Sequence, residues 1–143
     1  LVAAGVVHSR SAAFAGILTG RSRYFVAHYA PDPAHAVRLI RDAGGVPVFA
    51  HPEASARGRV VGERTYLEMI DAGLAGLEVE HRDNPQDGRA YLRRLAAEHS
   101  LLVTGSSDYH GTGKPNLLGE NTTSSEVLER IAELATGTSV VRP

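Results

Sequence analysis

Three short apolar segments of this sequence are each followed by side chains that can bind a metal. The segments are residues 46–50, 76–79 and 101–104. The side chains that follow them, in chain order, are His51, His81, Asp108 and His110. If the segments are neighbouring parallel strands, their carboxyl ends meet at one edge, which is where α/β proteins bind ligands. Imidazole and carboxylate groups bind Zn, Mn and Fe, so this pattern predicts a metal centre.

Each of these signals has an ordinary explanation when it is taken alone. A histidine after a strand is more often a hydrogen-bonded polar residue than a ligand, and Asp-x-His pairs are common. The metal prediction therefore depends on all three segments ending in the same way. We expect an extended loop to direct Asp108 and His110 to one side. Glu78 or Glu80 could point toward the same site, and an exposed or ion-paired role suits either carboxylate equally well.

A second chemical signal is the glycine-rich loop of residues 111–119, which contains Lys114. Flexible backbone with a cation near a metal could hold a phosphate group, and a glycine-rich surface turn is the alternative. The loop is not a Walker-type P-loop, because its lysine precedes a proline. Three arginines after His51 could assist with phosphate, although surface charge explains each of them more simply: Arg57, Arg59 and Arg64.

Helical patterns alternate with the three apolar segments. The predicted helices cover residues 33–41, 63–72, 85–99 and 124–135. Thr123 is predicted to cap the last helix, with Glu126 completing a capping box. This alternation predicts an α/β fold with a parallel sheet built from βαβ units. The first 30 residues differ, with a helix predicted over residues 6–18 and an extended stretch over residues 24–26.

Composition narrows the classes of function. The chain has 15 Lys+Arg against 16 Asp+Glu, which argues against an extended nucleic-acid-binding surface. It has no cysteine, so His, Asp or Glu must hold any metal. No long apolar run and no signal peptide pattern is present, so we expect a soluble cytoplasmic protein. The chain begins without Met and its only methionine is Met69, so we expect a piece of a longer protein.

Together these motifs resemble the PHP (polymerase and histidinol phosphatase) family, in particular its stand-alone phosphoesterases that act on small nucleotides or RNA 5′ ends. The similar stretches are AGGVPVFAHP at 43–52, GLAGLEV at 73–79, LVTGSSDYHG at 102–111, GKPN at 113–116 and LGENTT at 118–123. The resemblance covers about residues 31–136. Residues 1–30 are more loosely similar to part of the small inserted subdomain of the family and its return segment.

The resemblance implies that residues 31–143 are the C-terminal portion of a distorted (β/α)7 TIM-like barrel, preceded by a small, mainly helical insert-like segment. It also implies two or three divalent metal ions (Mn, Zn or Fe) and the hydrolysis of phosphate monoesters or phosphodiesters. By position, the metal ligands of the family correspond to His51, Asp108 and His110. His81 corresponds to a position near the substrate, where it would be catalytic or contact phosphate. Lys114 and Arg10 correspond to regions that bind substrate.

Part of the ligand set of the family is absent from this chain. The opening His-x-His pair, the next His and the metal-bridging Glu of the family are not found, so we expect them in a missing N-terminal half of the same domain. The chain alone is therefore predicted to bind metal weakly and to be inactive by itself. Two alternatives stay open: an amidohydrolase-type metal enzyme that cleaves C–N bonds, and a non-catalytic scaffold or interaction module.

Overall fold

The structure is a computed structural model that describes residues 1–111, 113–139 and 141. Its backbone contacts divide the chain into two compact units, Leu1–Ala30 and Pro31–Pro143. The first unit contains one short helix, α1 (Arg10–Ala15), which begins where the Ser9 hydroxyl accepts a hydrogen bond from the N–H of Ala12. The helix predicted over residues 6–18 is therefore too long, because the Ser9 cap and Gly16 limit it at its two ends. Residues 24–26 form no strand.

The second unit alternates helices with three strands, as the sequence predicts. Its elements are α2 (Pro33–Asp42), β1 (Val48–Phe49), α3 (Glu63–Asp71), β2 (Gly76–Glu80), α4 (Gln86–Glu98), β3 (Leu102–Gly105) and α5 (Ser125–Leu134). A short 3-10 turn, Ser55–Arg57, follows β1. The predicted α/β fold is confirmed, and it has helices and parallel strands in the expected order.

The three strands pair in the order β1-β2-β3, and both pairings are parallel. Gly76 of β2 pairs with Val48 on one side and with Leu102 on the other. A Cβ at Gly76 would lie 2.9 Å from the carbonyl oxygen of Leu102, so only glycine allows this close approach. Because the strands are parallel, their carboxyl ends lie at one edge of the sheet.

The central strand β2 lies in the hydrophobic core. Leu77 and Val79 of this strand are fully buried, as is Leu92 of α4. The buried core residues, drawn from α2, α3, α4, β2 and the turn before β2, are Val37, Tyr66, Met69, Leu74, Leu77, Val79, Leu92, Leu95 and Ala96. Burial of this apolar surface holds the helices against the sheet and thereby fixes the strand ends.

The helix ends show one difference from the sequence prediction. Asp32 caps α2 by accepting from the N–H of His35, as expected. The cap of α5, however, is Ser124, which accepts from the N–H of Val127. The capping box predicted from Thr123 is wrong, because the Thr123 hydroxyl instead exchanges hydrogen bonds with the backbone N–H and carbonyl of Gly105. Thr123 thus ties the start of α5 to the end of β3.

Among the described residues, no helix is both long enough and apolar enough to cross a membrane.

We predict that Leu77→Ala lowers the free energy of unfolding by about 3 kcal/mol, because it removes a fully buried side chain and leaves a cavity in the core. Leu118→Ala is the matched control, since Leu118 is 80% exposed, and it should change the stability by less than about 0.5 kcal/mol. Chemical denaturation of both variants measures the difference. Equal losses would contradict the position of Leu77 in the core.

Candidate metal centre

His51 lies just after β1 in an uncommon backbone conformation. Its φ angle is +31°, in the left-handed region that residues other than glycine rarely adopt. Its N–H donates a hydrogen bond of 2.8 Å to Oε2 of Glu78, which lies on β2. Strained residues that neighbouring groups hold in place are concentrated at functional sites. Because the Glu78 carboxylate binds the backbone of His51, Glu78 lies at this site. Glu80, the other acid considered from the sequence, pairs with Arg93 of α4 instead.

His81 follows β2 and is fully buried beside His51. The two imidazole centres are 5.0 Å apart. His81 Nδ1 accepts a hydrogen bond of 3.1 Å from the N–H of Asp83, which puts the ring proton on Nε2. That Nε2 has no hydrogen-bond partner among the described residues. Burial lowers the pKa of His81 by more than the nearby carboxylates raise it. The ring is therefore neutral at pH 7, and its Nε2 is an N–H donor.

Asp108 accepts hydrogen bonds from two cationic side chains at this edge of the sheet. Its Oδ2 accepts from Lys114 Nζ at 2.8 Å and from Arg57 Nη2 at 2.6 Å. These two cationic donors hold the pKa of the Asp108 carboxyl well below its usual range, so the group is ionised. Asp108 also has a φ angle of +50°, so the extended loop predicted here is wrong at this residue. The hydrogen bond from the Asp108 N–H to the Ser106 hydroxyl belongs to the tight turn that forms instead.

His110 stays close to Asp108 despite that turn. Its Nδ1 lies 2.6 Å from the backbone oxygen of Asp108 and 3.5 Å from the carboxylate Oδ1. The side chain is 47% exposed, which leaves the imidazole accessible at the surface of the site. The two members of the Asp-x-His pair are thus neighbours, as their spacing predicts.

Arg57 connects these groups, although surface charge was the simpler of the two roles that its sequence position suggested. Its Nη1 lies 3.1 Å from Nε2 of His51, and its Nη2 binds Asp108. Its Nε binds Asp83. The only signal in the sequence was its position six residues after His51, on the turn that β1 leads into. The structure therefore brings His51 and Asp108 together on a single cationic group.

The donor types at this edge fit a divalent metal. His51, Asp108 and His110 offer imidazole nitrogens and an ionised carboxylate, and His81 adds a buried Nε2 that lacks a partner in the described chain. Across residues 1–111 and 113–139, no three His, Asp or Glu side chains stand close enough together to hold a metal. His51 and Asp108 converge instead on the guanidinium of Arg57.

A buried hydrogen-bond network positions the turn that carries His51. The amide oxygen of Asn84 accepts from the N–H of Glu53 at 3.1 Å, and its nitrogen donates to the carbonyl oxygens of Glu78 and Val79. Tyr66 of α3 donates a 2.7 Å hydrogen bond to the Glu53 carboxylate. Asn84 thus joins the turn after β1 to the end of β2. This role of Asn84 could not be predicted from the sequence, because an Asn before a Pro indicates only the start of a helix.

The remaining residues considered from the sequence lie elsewhere. His35 lies on α2 and His99 directly follows α4, and both are exposed. Lys114 reaches Asp108, so it lies at the site where it was predicted. Arg10 lies on α1 in the first unit, and its contact with substrate stays a prediction.

Known proteins are similar to this chain over much of its length. The chain is 35% identical over 80 residues to the phosphoribosyl 1,2-cyclic phosphate 1,2-diphosphodiesterase of Eggerthella lenta, a match that covers 56% of the chain and 29% of that enzyme. It is 32% identical over 114 residues to the 3′,5′-nucleoside bisphosphate phosphatase of Chromobacterium violaceum, covering 80% of the chain and 40% of that enzyme. A 5′-3′ exoribonuclease of Haemophilus influenzae is also 32% identical over 114 residues, covering 77% of the chain and 40% of that enzyme.

Two solved structures share the fold. A proposed metal-dependent phosphoesterase from Bifidobacterium adolescentis superposes with a TM-score of 0.83 at 43% identity, over 95% of this chain and 48% of that chain. Over this portion, the chain is similar to metal-dependent phosphoesterases, in agreement with the resemblance found in the sequence. An amidohydrolase from Chromobacterium violaceum with bound sulfate and no metal is more distant, with a TM-score of 0.60 and 29% identity over 91% of this chain and 48% of that one. No protein-family model matches the sequence.

The chain spans less than half the length of the proteins that it matches. The aligned region is 29% to 40% of the three curated enzymes and 48% of the Bifidobacterium structure. The resemblance predicted from the sequence is thus confirmed for this portion of the fold.

We predict that Asn84→Ala lowers the free energy of unfolding by about 2 kcal/mol, because it leaves the buried N–H of Glu53 and two strand carbonyls without their partner. Gln86→Ala is the control, since this nearby amide side chain is exposed at the start of α4. Chemical denaturation compares the two variants, and NMR of the His51 imidazole reports the local structure. An unperturbed His51 signal in Asn84→Ala would contradict the positioning role.

Proposed function

We propose that this chain supplies part of the active site of a divalent-metal-dependent phosphoesterase of the PHP type. One observation carries the proposal: His51 after β1 and Asp108 after β3 converge on one cation at the carboxyl edge of the sheet. An imidazole nitrogen and a carboxylate oxygen that face one cation are two of the ligand types that a divalent metal takes in proteins. The names of the matched phosphoesterases support the same chemistry.

The proposed metal ligands are His51, Asp108 and His110. When bound, divalent metals lower the pKa of water and stabilise negative charge on a phosphoryl group. Asp108 is suited to bind them because it is ionised, and His51 because its Nε2 faces a cationic donor and so presents its lone pair. Mn, Zn and Fe are the proposed metals, since the ligand set contains both nitrogen and oxygen and no sulfur.

The proposed reaction is the hydrolysis of a phosphate ester. The bond between phosphorus and the leaving oxygen breaks, a bond between phosphorus and the oxygen of water forms, and the leaving oxygen gains a proton. That proton comes from the attacking water, and His81 is placed to donate a hydrogen bond from Nε2 to the phosphate or the leaving oxygen, because its Nδ1 accepts from the N–H of Asp83. Lys114 would balance the charge of the phosphate, and Arg10 is proposed as a further substrate contact.

The proposed substrate is a small phosphorylated molecule such as a nucleotide or an RNA 5′ end, which suits a site built around a few cations without an extended basic surface. Residues 31–143 would belong to a distorted (β/α)7 barrel, and residues 1–30 to an inserted subdomain and its return. The rest of the barrel would come from an N-terminal half of the same domain, and the protein would be cytoplasmic.

An amidohydrolase-type activity is the second candidate, because the more distant solved structure carries that name. Two features of the site favour phosphate. Lys114 lies 2.8 Å from Asp108 and adds positive charge beside the proposed ligands, and Arg57 adds a second cation. A comparison of phosphate ester and amide substrates separates the two activities, and a non-catalytic scaffold would cleave neither.

We predict that the chain binds a divalent metal weakly at excess Mn²⁺ and that an Asp108→Ala/His110→Ala variant does not bind it. Elemental mass spectrometry after dialysis against Mn²⁺ measures the bound metal per chain. His35→Ala/His99→Ala is the matched control, because it removes two exposed histidines outside the site and should retain the metal. Equal metal content in all three proteins would contradict the proposed ligands.

We predict that His81→Gln in the complete, metal-loaded enzyme lowers kcat on a nucleotide phosphate ester by about 100-fold, because it removes an imidazole N–H that is placed to donate a hydrogen bond to the reacting phosphate. His99→Gln serves as the control at an exposed position. Circular dichroism of the variant confirms that it is folded. Full turnover by a folded His81→Gln enzyme would remove His81 from the mechanism.

A further inference from the structure

The charges of this chain are divided unequally between its two units. Residues 1–30 contain three arginines and no Asp or Glu, whereas residues 31–143 contain 12 Lys+Arg and 16 Asp+Glu. The formal charge is therefore +3 for the first unit and −4 for the second. The near-neutral total of the whole chain conceals this difference. Because the first unit has no carboxylate side chain of its own to balance its arginines, it favours an anionic partner.

The first unit also carries exposed aromatic side chains. Half of the eight Phe and Tyr residues of the chain lie in residues 1–30. They are Phe14, Tyr24, Phe25 and Tyr29. Each of them is between 54% and 84% exposed, whereas three of the four aromatic residues in the second unit are buried or partly buried. The rings of the first unit are thus at its surface, where they can stack against a planar group.

A hydrogen-bonded turn presents arginine and aromatic side chains next to each other. The Ser22 carbonyl accepts from the N–H of Phe25 at 3.0 Å, and the Ser22 hydroxyl accepts from the N–H of Tyr24 at 3.1 Å. The guanidinium of Arg23 lies over the Tyr24 ring, with its central carbon 5.1 Å from the ring centre. Arg21, which precedes the turn, is also exposed. We call these four exposed side chains the arginine–aromatic surface: Arg21, Arg23, Tyr24 and Phe25.

The helix α1 shows the same pairing of side chains. The guanidinium carbon of Arg10 lies 5.7 Å from the ring centre of Phe14, about one turn further along the helix. A guanidinium that stacks on an aromatic ring keeps its N–H donors at its edge, where they can bind phosphate. The first unit therefore has two places where an exposed ring supports a phosphate-binding group.

We propose that the first unit binds single-stranded nucleic acid through the arginine–aromatic surface. Unpaired bases stack on Tyr24 and Phe25, because every base has an aromatic face, and Arg21 and Arg23 bind the phosphates between the bases. A duplex hides its base faces inside the helix, so exposed rings favour a single strand. The inference goes beyond the proposed function, because this binding requires neither a metal nor hydrolysis.

A membrane surface fits these residues less well. Helices that lie on a membrane have an extended apolar face opposite a charged one. α1 has only six residues, and its Arg10 and Phe14 contact each other rather than occupying opposite faces. Arginine and aromatic residues are also neighbours in the turn of residues 22–25. Cationic and apolar groups are therefore mixed, as a chain of alternating phosphates and bases requires.

An apolar groove of another protein would match only the rings. It would cover the aromatic side chains and bury the neighbouring arginines without an anion, which costs free energy. Nucleic acid supplies a flat apolar group and an anion at every nucleotide, so it matches both parts of the arginine–aromatic surface.

Fluorescence anisotropy with a labelled, unpaired RNA of about ten nucleotides tests the proposal, in EDTA so that no metal contributes. The Tyr24→Leu/Phe25→Leu variant of the chain keeps the apolar bulk and removes the flat rings. The Arg21→Gln/Arg23→Gln variant removes two of the charges. We expect the Kd for this RNA to rise about tenfold or more in each variant, because each loses one of the two interactions that hold the strand.

The matched control is Arg64→Gln/Arg130→Gln, which removes two exposed arginines from helices of the second unit and should leave the Kd unchanged. An equal loss of RNA binding in this control would overturn the assignment to the first unit. Circular dichroism shows whether each variant is folded. Full RNA affinity in a folded Tyr24→Leu/Phe25→Leu protein would overturn the stacking role.

Salt dependence and the form of the probe give a second arm. Three arginines that each release a counterion predict a slope of about −2 for log Ka against log salt concentration, and about −0.7 when only Arg10 remains. The same RNA as a duplex should bind about tenfold more weakly. Equal affinity for the duplex, no RNA binding by the wild-type chain, or binding only to phosphatidylserine vesicles would overturn the proposal. Because metal is absent, failure here is distinguishable from failure of the proposed metal centre.

Discussion

The parallel pairing of three strands is the constraint on which the rest of the structure depends. β2 pairs with β1 on one side and with β3 on the other, which brings three carboxyl ends to one edge. The pairing requires glycine at position 76, where a Cβ would meet the neighbouring strand. Burial of Leu77 and Val79 then fixes β2 between the helices. Because His51, His81 and Asp108 follow these three strand ends, the pairing places them at the same edge of the sheet.

The site itself combines local strain with balanced charge. His51 and Asp108 both adopt positive φ angles, and the backbone N–H of each donates a hydrogen bond to a neighbouring side chain, Glu78 or Ser106. Such backbone conformations cost on the order of 1–3 kcal/mol each, so the surrounding core has to stabilise them. The ionised Asp108 is balanced by Arg57 and Lys114, two cations that also suit a negatively charged substrate. A single arrangement of charge therefore serves both the ligands and the proposed phosphate ester.

Much of this architecture could be predicted from the sequence, because its signals are local. The strands and helices follow from apolar runs and from caps such as Asp32, and strand ends predicted the neighbouring positions of His51 and His81. The missed features depend on contacts between distant residues. Thr123 looked like a helix cap, yet it binds Gly105 eighteen residues earlier. Arg57 looked like surface charge, because its partner Asp108 lies 51 residues away and only the fold brings them together.

The central claim is that His51 and His110 belong to a metal centre at the sheet edge. The most direct test is ¹⁵N NMR of the histidine imidazoles during titration with paramagnetic Mn²⁺, which detects even weak binding. The account predicts that the signals of His51 and His110 broaden first and that His81, close to His51, broadens with them. The exposed His35 and His99 should remain sharp at the same Mn²⁺ concentration. Equal broadening of all histidines, or none at the sheet edge, would contradict a metal centre there.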